Sequence, residues 1–325
     1  MVCRVTTTDK NHSAAKADAP FCVAVDWGTS SFRLWLLATD GTVLAERRSD
    51  EGLILAAREG FANILDQHLA RLQVPDTVPV VMCGMVGARG GWLEAAYLPA
   101  PLVLEDLALH ASPVAGQKRR IHILPGVCQH GEQGFDVMRG EETKLLGAGL
   151  RDGLVLMPGT HTKWAQVANG SLSGFSTFMT GELFAHLSHG AASVLRPALE
   201  GAGAVAPHSE AFAQAVVESL NAPEQLSNKL FGVRAGWLLE QRPAEDNMAR
   251  LSGLLIGMEI AGALSIYQRP GTLCLIGAGP GAAAYRQALD VAGFKHITVL
   301  DADDCVQRGL MRAALRIHGV EGVGK

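Results

Sequence analysis

The stretch FCVAVDWGTSSFR, Phe21 to Arg33, sets the terms on which the chain is read. A five-residue apolar run, Phe21–Val25, ends in an acid, Asp26. A small turn of Gly28, Thr29, Ser30 and Ser31 follows, and a second apolar run, Phe32–Ala38, leaves it. Such a turn offers backbone N–H and hydroxyl donors without bulk, which suits phosphate, and a carboxylate at the end of a buried strand can hold a hydrated Mg²⁺. The same residues would also make an ordinary β-hairpin with a glycine turn.

Repetition separates the two readings. Gly153–Met157 is another short apolar run, which turns through Pro158, Gly159, Thr160, His161 and Thr162 and leaves as Lys163–Val167. Both turns contain Gly-Thr, and both outgoing runs begin with a base beside an aromatic, Phe32-Arg33 and Lys163-Trp164. Arg33 and Lys163 are therefore candidate phosphate ligands beside the turns. Each run then reaches a hairpin signal, Asp40-Gly41 and Asn169-Gly170. The acid is not duplicated, since Met157-Pro158 stand where Asp26-Trp27 stand in the first copy. One side that holds a metal and one that holds only phosphate is what a single-nucleotide site needs. Two such units suggest duplicated domains facing each other over a cleft.

At 325 residues and 48% hydrophobic content the chain has room for about two domains with their own cores. A net charge of −4, with no basic stripe, argues against a nucleic-acid partner. Six cysteines without CxxC spacing imply neither a disulfide framework nor a zinc site, and Cys22, Cys83 and Cys274 fall in or beside apolar runs where a thiol acts as a small hydrophobe. Residues 1–20 are polar and read as a disordered tail rather than a signal peptide. No apolar run is expected to reach bilayer length. These features predict a soluble, cytoplasmic α/β protein without a membrane partner.

Helical spacing of Phe61, Ile64, Leu65, Leu69 and Leu72 predicts an amphipathic helix over Ala57–Leu72. Val78–Met82 reads as a buried strand delivering the chain into Cys83–Trp92, whose four glycines predict a close approach of backbone to a ligand or to another segment. Ile121–Leu124 reads as a further strand. Met138–Gly149 follows at the domain junction, with Arg139, Gly140 and two carboxylates, Glu141 and Glu142, that also suit the first turn of a helix. His186 and His189, at i,i+3, could hold metal or be plain helix histidines. Met248–Tyr267 is predicted as a long helix, and Val306–His318 as a closing one.

Thr272–Ile276, the turn Gly277–Gly281 and Ala282–Ala292 read as strand, glycine turn and helix, a natural nucleotide cradle because the helix N-terminus presents free N–H groups. Gly277, Gly279 and Ala282, with Asp301 about twenty residues on, also imitate the dinucleotide fingerprint of an NAD-dependent oxidoreductase. Fewer than fifty residues follow, too few for the βα units of a nicotinamide domain, and the duplicated turns would go unexplained.

DWGTSSFR at 26–33, MPGTHTKW at 157–164 and LCLIGAGPGAAAYRQAL at 273–289 occur in the order of the phosphate-1, phosphate-2 and adenosine motifs of the sugar kinase, Hsp70 and actin superfamily, which the chain resembles. Within it, VVMCGMVGARGGW, YLPAPL, VMRGEETKLLGA, MPGTHTKW, TGEL and LSGLLIG resemble the 2-dehydro-3-deoxygalactonokinase family over nearly the whole of residues 21–318. The resemblance implies two actin-like (ribonuclease H-like) domains, each a mixed five-stranded sheet flanked by helices, with the active site in a cleft between them. Expected bounds are 21–138 and 139–309, with 310–325 a closing helix and tail packed back on the first domain, and a homodimer is compatible with the pattern.

The resemblance also implies Mg·ATP-dependent phosphorylation of the 6-hydroxyl of 2-dehydro-3-deoxy-D-galactonate in galactonate catabolism. Another sugar acid, such as 2-dehydro-3-deoxygluconate, or an ordinary ketose is the alternative acceptor. By this analogy Asp26 holds the hydrated metal, and Gly28, Thr29 and Ser30 meet the β/γ-phosphates. Gly159, Thr160 and His161 form the second phosphate turn, and Gly277, Gly279 and Gly281 the adenosine pocket. The family acid of a GDQ-type turn falls on Gly140-Glu141-Glu142 here, leaving both glutamates as candidate bases, with Glu141 in the matching place. Arg89, Arg139 and Lys163 are candidates for the acceptor's carboxylate.

Overall fold

A computed structural model describes residues 19–131 and 134–319. All but the last two residues of the expected N-terminal tail lie outside that range, as do Cys3 and residues 320–325. The strands are β1 (Pro20–Trp27), β2 (Phe32–Ala38), β3 (Val43–Ser49), β4 (Val80–Gly84), β5 (Tyr97–Pro99), β6 (Leu102–Val103), β7 (Ser112–Pro113) and β8 (Ile121–Ile123). Then come β9 (Gly126–Gly131), β10 (Gly134–Met138), β11 (Gly153–Met157), β12 (Thr162–Ala168), β13 (Ser171–Phe178), β14 (Leu273–Ile276) and β15 (Ile297–Leu300). The helices are α1 (Leu53–Glu59), α2 (Phe61–Arg71), α3 (Glu141–Ala148), α4 (Thr180–His189), α5 (Arg196–Leu199), α6 (Glu210–Asn221), α7 (Leu226–Glu240), α8 (Ala244–Ile266), α9 (Gly279–Val291) and α10 (Ala302–His318).

The chain divides into two compact units, one of Met1–Ala95, Ala108–Pro125 and Leu310–Lys325, the other of Ala96–Leu107 and Gly126–Gly309. The division departs from the bounds of 21–138 and 139–309: residues 96–107 and 126–138 group with the second unit. Strand pairing accounts for this, because β5 pairs with β9, β9 with β10, and β6 with β13.

In the first unit the sheet order is β3-β2-β1-β4-β8-β7. β1, β2 and β3 form an antiparallel meander, β4 and β8 join β1 in parallel, and two-residue β7 closes the edge antiparallel to β8. β1 and β4 read as continuous apolar runs because both faces of a central strand are covered. Trp27, Phe32, Leu34 and Met82 of the sheet pack with Phe61, Ile64, Leu65 and Leu69 of α2. The single helix expected over Ala57–Leu72 is two, because Gly60 takes φ +91° and ends one helix while opening the next.

The second unit repeats the order. Its sheet runs β15-β14-β11-β12-β13-β6, with β11, β12 and β13 antiparallel, β14 and β15 parallel to β11, and β6 at the antiparallel edge. Each mixed sheet thus has six strands rather than the five expected: the same five plus one two-residue edge strand, too short to show as a pattern. A third sheet, β10-β9-β5, was not foreseen. Only three strands of the second unit's large sheet are parallel, so the glycine turn after β14 does not open a doubly wound dinucleotide domain. Asp301, the acid of that apparent fingerprint, accepts the N–H groups of Asp303 and Asp304 and caps α10.

α8 corrects the expectation that no run reaches bilayer length: at 23 residues it is long and apolar enough to cross a membrane. It is the core helix of the second unit, burying Leu254, Leu255, Ile256 and Ile260. Gly253 and Gly257 let it lie directly on α6, since a Cβ there would stand 2.6 Å from Phe212 O and 2.7 Å from Val216 O. The five described cysteines are free thiols, and Cys22, Cys83 and Cys274 are buried as their apolar settings suggested.

Candidate functional site

In the first unit, Asp26 is the next-to-last residue of β1, opposite Arg33 on β2 and Cys83 on β4. Its Oδ2 lies 3.6 Å from the Arg33 guanidinium, and the Cys83 thiol donates towards Oδ1 at 3.8 Å. Arg33 is thereby placed against the carboxylate. Gly84 has to be glycine: φ is +87°, and a Cβ would stand 2.7 Å from Trp27 O and 3.2 Å from Asp26 Oδ1. The close approach expected of the 83–92 glycines is realised here, and again at Gly91 against Val86 O.

The turn after β1 is closed by Gly28 N–H donating to Ser31 O at 2.8 Å, and leaves Thr29 and Ser30 exposed. It is braced from α1, where Leu53 N–H donates to Gly28 O at 3.0 Å and a Cβ on Gly52 would fall 2.4 Å from Thr29 O. The second unit uses the same brace. Glu182 N–H donates to Thr160 O at 3.0 Å, and a Cβ on Gly181 would fall 2.3 Å from Gly159 O. The duplication therefore includes a glycine at the start of the helix after each meander. Gly52 was not singled out from the sequence, although Gly52-Leu53 and Gly181-Glu182 were both available to compare.

Beside the second turn, His161 Nε2 lies 2.5 Å from Glu182 Oε2, and His186 Nε2 3.6 Å from Glu182 Oε1. The hydrogen bond from His161 holds the Glu182 carboxyl below the usual carboxylate range. His189 instead meets Ser188 Oγ at 2.7 Å. Among the described residues no group of three or more His, Cys, Asp or Glu side chains could hold a metal, so the His186/His189 spacing does not make a metal site.

The two adjacent glutamates have different surroundings. Gly140, at φ +106°, turns the chain so that its N–H donates to both Glu142 oxygens at 2.8 Å, and Thr143 Oγ1 donates to Oε1 at 3.1 Å. Glu142 is completely buried; burial first, then the neighbouring Glu141 charge, pushes its carboxyl up to about 7. Glu141 is partly exposed, accepts Arg139 N–H at 3.2 Å, and places Oε1 3.4 Å from Lys163 Nζ. Lys163, nearly buried, also donates to His161 O at 3.3 Å. It thus ties the second Gly-Thr turn to Glu141. The Arg139 guanidinium lies 4.1 Å over the Tyr97 ring. Arg89, in the first unit, is exposed on its tight glycine loop.

The second unit also holds a cavity of about 440 Å³ whose lining includes Pro158 and Gly159 of the second Gly-Thr turn, Thr180 and Gly181 of α4, Ser252 and Ile256 of α8, and Gly277, Gly281 and Tyr285 around the start of α9. Two glycine motifs far apart in the sequence converge here. Gly277 is kept free of a Cβ by Ala282, which would stand 2.9 Å away, and Gly279 takes φ +68° to start α9. The N-terminus of this 13-residue helix faces the opening turn, where its unpaired N–H groups favour an anion. Mostly apolar walls with a few hydroxyls suit a planar base.

Behind the cavity lies a network that the sequence did not reveal. Glu259 of α8, fully buried, accepts Trp164 Nε1–H at 2.8 Å and Tyr285 O–H at 2.5 Å, and Tyr285 OH meets Thr162 Oγ1 at 2.9 Å. The available signal was one carboxylate inside the apolar segment LSGLLIGMEIAGALSIY.

Residues 26–313 match the 2-keto-3-deoxy-galactonokinase family. A Rhizobium meliloti (strain 1021) protein named "Probable 2-dehydro-3-deoxygalactonokinase DgoK1" is 48% identical, over 92% of this chain and 98% of its own length. The 2-dehydro-3-deoxygalactonokinase of Escherichia coli (strain K12) is 34% identical, over 90% and 97%. A Sinorhizobium meliloti crystal structure described under the same enzyme name superimposes with a TM-score of 0.89 at 47% identity, covering 92% of this chain and 100% of that one. With the match running over nearly the whole described chain and both relatives covered almost end to end, the chain belongs to the 2-keto-3-deoxy-galactonokinase family.

Proposed function

We propose that this chain is an ATP-dependent carbohydrate kinase that phosphorylates the 6-hydroxyl of 2-dehydro-3-deoxy-D-galactonate, a step of galactonate catabolism. Beyond family membership, the observation that carries the assignment is the cavity in which the Gly159 turn and the Gly277–Gly281 turn meet at the start of α9. It suits the adenosine and inner phosphates of a nucleotide. Thr29 and Ser30 are the phosphate ligands proposed in the first turn, and Thr160 and His161 those proposed in the second.

The donor set fits Mg²⁺. Asp26 is a single carboxylate at a strand end, approached by Gly84 where a side chain would crowd Oδ1, and a Mg²⁺ carried with ATP is typically held by one or two carboxylates and water. The bound ion would neutralise charge on the β/γ-phosphate oxygens. Asp26 would hold it through water, and Arg33 keeps the carboxylate oriented. Glu141 is the base in this scheme, accepting the proton of the acceptor hydroxyl at a carboxylate oxygen, because it is the glutamate with solvent access. Glu142 shapes the turn that presents it. Lys163 acts on Glu141 and on the His161 carbonyl rather than on phosphate. Arg89 and Arg139 each offer the planar fork that a sugar-acid carboxylate calls for.

The test is a coupled ADP-release assay with Mg·ATP against 2-dehydro-3-deoxygalactonate, 2-dehydro-3-deoxygluconate, galactonate and a neutral ketohexose. Turnover confined to the first is expected. Turnover on another member alone would keep the kinase and replace the acceptor. Silence with ATP bound would remove the kinase assignment.

A further inference from the structure

Glu259 lies behind the cavity rather than in it, and the transfer chemistry above makes no use of it. Its surroundings are specific. β12, the strand that leaves the second phosphate turn, supplies Trp164 and Thr162; α9 supplies Tyr285, whose ring lines the cavity; α4 supplies Thr180, whose buried hydroxyl also lines the cavity and faces the carboxyl outside hydrogen-bond geometry. Three elements of one unit, α8, α9 and β12, are thereby joined through one carboxyl group behind the site assigned to ATP, with Thr180 of α4 beside it.

We propose that Glu259 is a positioning residue for the nucleotide, acting through Tyr285, and that ATP binding takes up a proton on its carboxyl group. This rests on assigning the cavity to ATP. Protonated, the carboxyl is neutral and can donate to Tyr285 OH while still accepting the Trp164 indole. Ionised, it is a buried negative charge behind a pocket that must admit a polyanion, in surroundings that screen it poorly. Burial pushes this carboxyl up to about 7, opposed by the hydroxyl and indole donors around it, so both forms are accessible near neutral pH.

Among the described residues, no cation acts on the Glu259 carboxyl. Among the described residues, the further titratable group bonded in the network is Tyr285, which burial and Glu259 hold well above its usual range. On β12, Lys163 is committed to Glu141 and His161 O. On α4, Glu182 is committed to His161 and His186. On α6, which packs along α8, Glu218 pairs with Arg250. On α9, Arg286 pairs with Asp290.

The experiment is calorimetric titration of Mg·ATP into the full chain at pH 6, 7 and 8, in buffers of different ionisation enthalpy, for wild type, Glu259→Gln and Glu259→Leu. Glutamine mimics the protonated acid, with one acceptor for Trp164 and one donor for Tyr285. The wild type is expected to weaken for ATP by about tenfold more than Glu259→Gln between pH 6 and 8, one unit of pKa displacement corresponding to one tenfold. Proton uptake should be present in the wild type and reduced in the glutamine variant. The nucleotide's own titration is common to both proteins and cancels in the comparison. Glu259→Leu, without a partner for either donor, is expected to bind more weakly at every pH. Equal pH dependence and proton uptake in wild type and Glu259→Gln would overturn this inference alone. Failure of the wild type to bind Mg·ATP at any pH would overturn it together with the assignment of the cavity.

Discussion

Glu141 and Glu142 are chemically identical neighbours, and only their surroundings distinguish them. Glu142 accepts three hydrogen bonds from its own turn and is sealed from solvent, whereas Glu141 is reachable and held by Lys163. Glu141→Gln is therefore expected to lower kcat by about 10²–10⁴-fold with ATP affinity retained, the range for loss of a general base. Glu142→Gln should lower stability more than chemistry, since an amide cannot accept the Gly140 N–H with both of its heteroatoms. Steady-state kinetics beside nucleotide titration separate the two; a dead Glu142→Gln enzyme with an active Glu141→Gln would exchange their roles. Lys163→Met is expected to reduce kcat more than it raises KM for ATP, because its ammonium touches Glu141, the proposed base, and a turn carbonyl. A change confined to KM for ATP would return Lys163 to the phosphate. Asp26→Asn is expected to lower kcat by about 10²-fold or more and to raise the Mg²⁺ requirement; a magnesium titration of turnover that matches wild type would remove Asp26 from the site.

At the scale of elements, each Gly-Thr turn is braced by a helix start through a glycine with no space for a Cβ. Gly52 lies against Thr29 O and Gly181 against Gly159 O. Gly181→Ala would push α4 from the second turn and disturb the cavity they share, at a cost of about 1–3 kcal/mol in stability, as for other overpacked sites. Its expected signature is a raised KM for ATP with a lowered unfolding midpoint. An alanine variant with wild-type KM would show that the brace is not needed for nucleotide binding. Much of this level could be read in the chain itself: the paired Gly-Thr turns, the meanders and the strand before Gly277 follow from apolar runs punctuated by turn residues. The α1/α2 break was hidden because apolar spacing continues across Gly60, and the two-residue edge strands β6 and β7 because two residues carry no period.

At the scale of the molecule, burial pushes two carboxyl groups among the described residues, Glu142 and Glu259, up to about 7 from the ordinary value of 4.5. Between those values the native state binds more protons than the unfolded one, so stability falls as pH rises from about 4.5 to 7. Each group contributes about 3 kcal/mol when protonated in the native state, an amount lost by the time pH passes the folded pKa. Unfolding midpoints in denaturant from pH 5 to 8 should decline, and Glu259→Gln should flatten that decline by about one proton's slope. An unchanged slope would mean that Glu259 is already ionised in the fold.

The chain's own order of residues determined the duplicated meander and turn, and the glycine turn after the strand at Leu273–Ile276, because these depend on local alternation and on turn chemistry. Tertiary structure decided which of two adjacent glutamates is sealed and which is open, where Lys163 points, and that an isolated acid in an apolar helix has an indole and a phenol to meet. Those outcomes depend on burial and on partners brought from distant segments, such as Glu259 to Trp164 and Gly159 to Gly277. Periodicity carries no record of either.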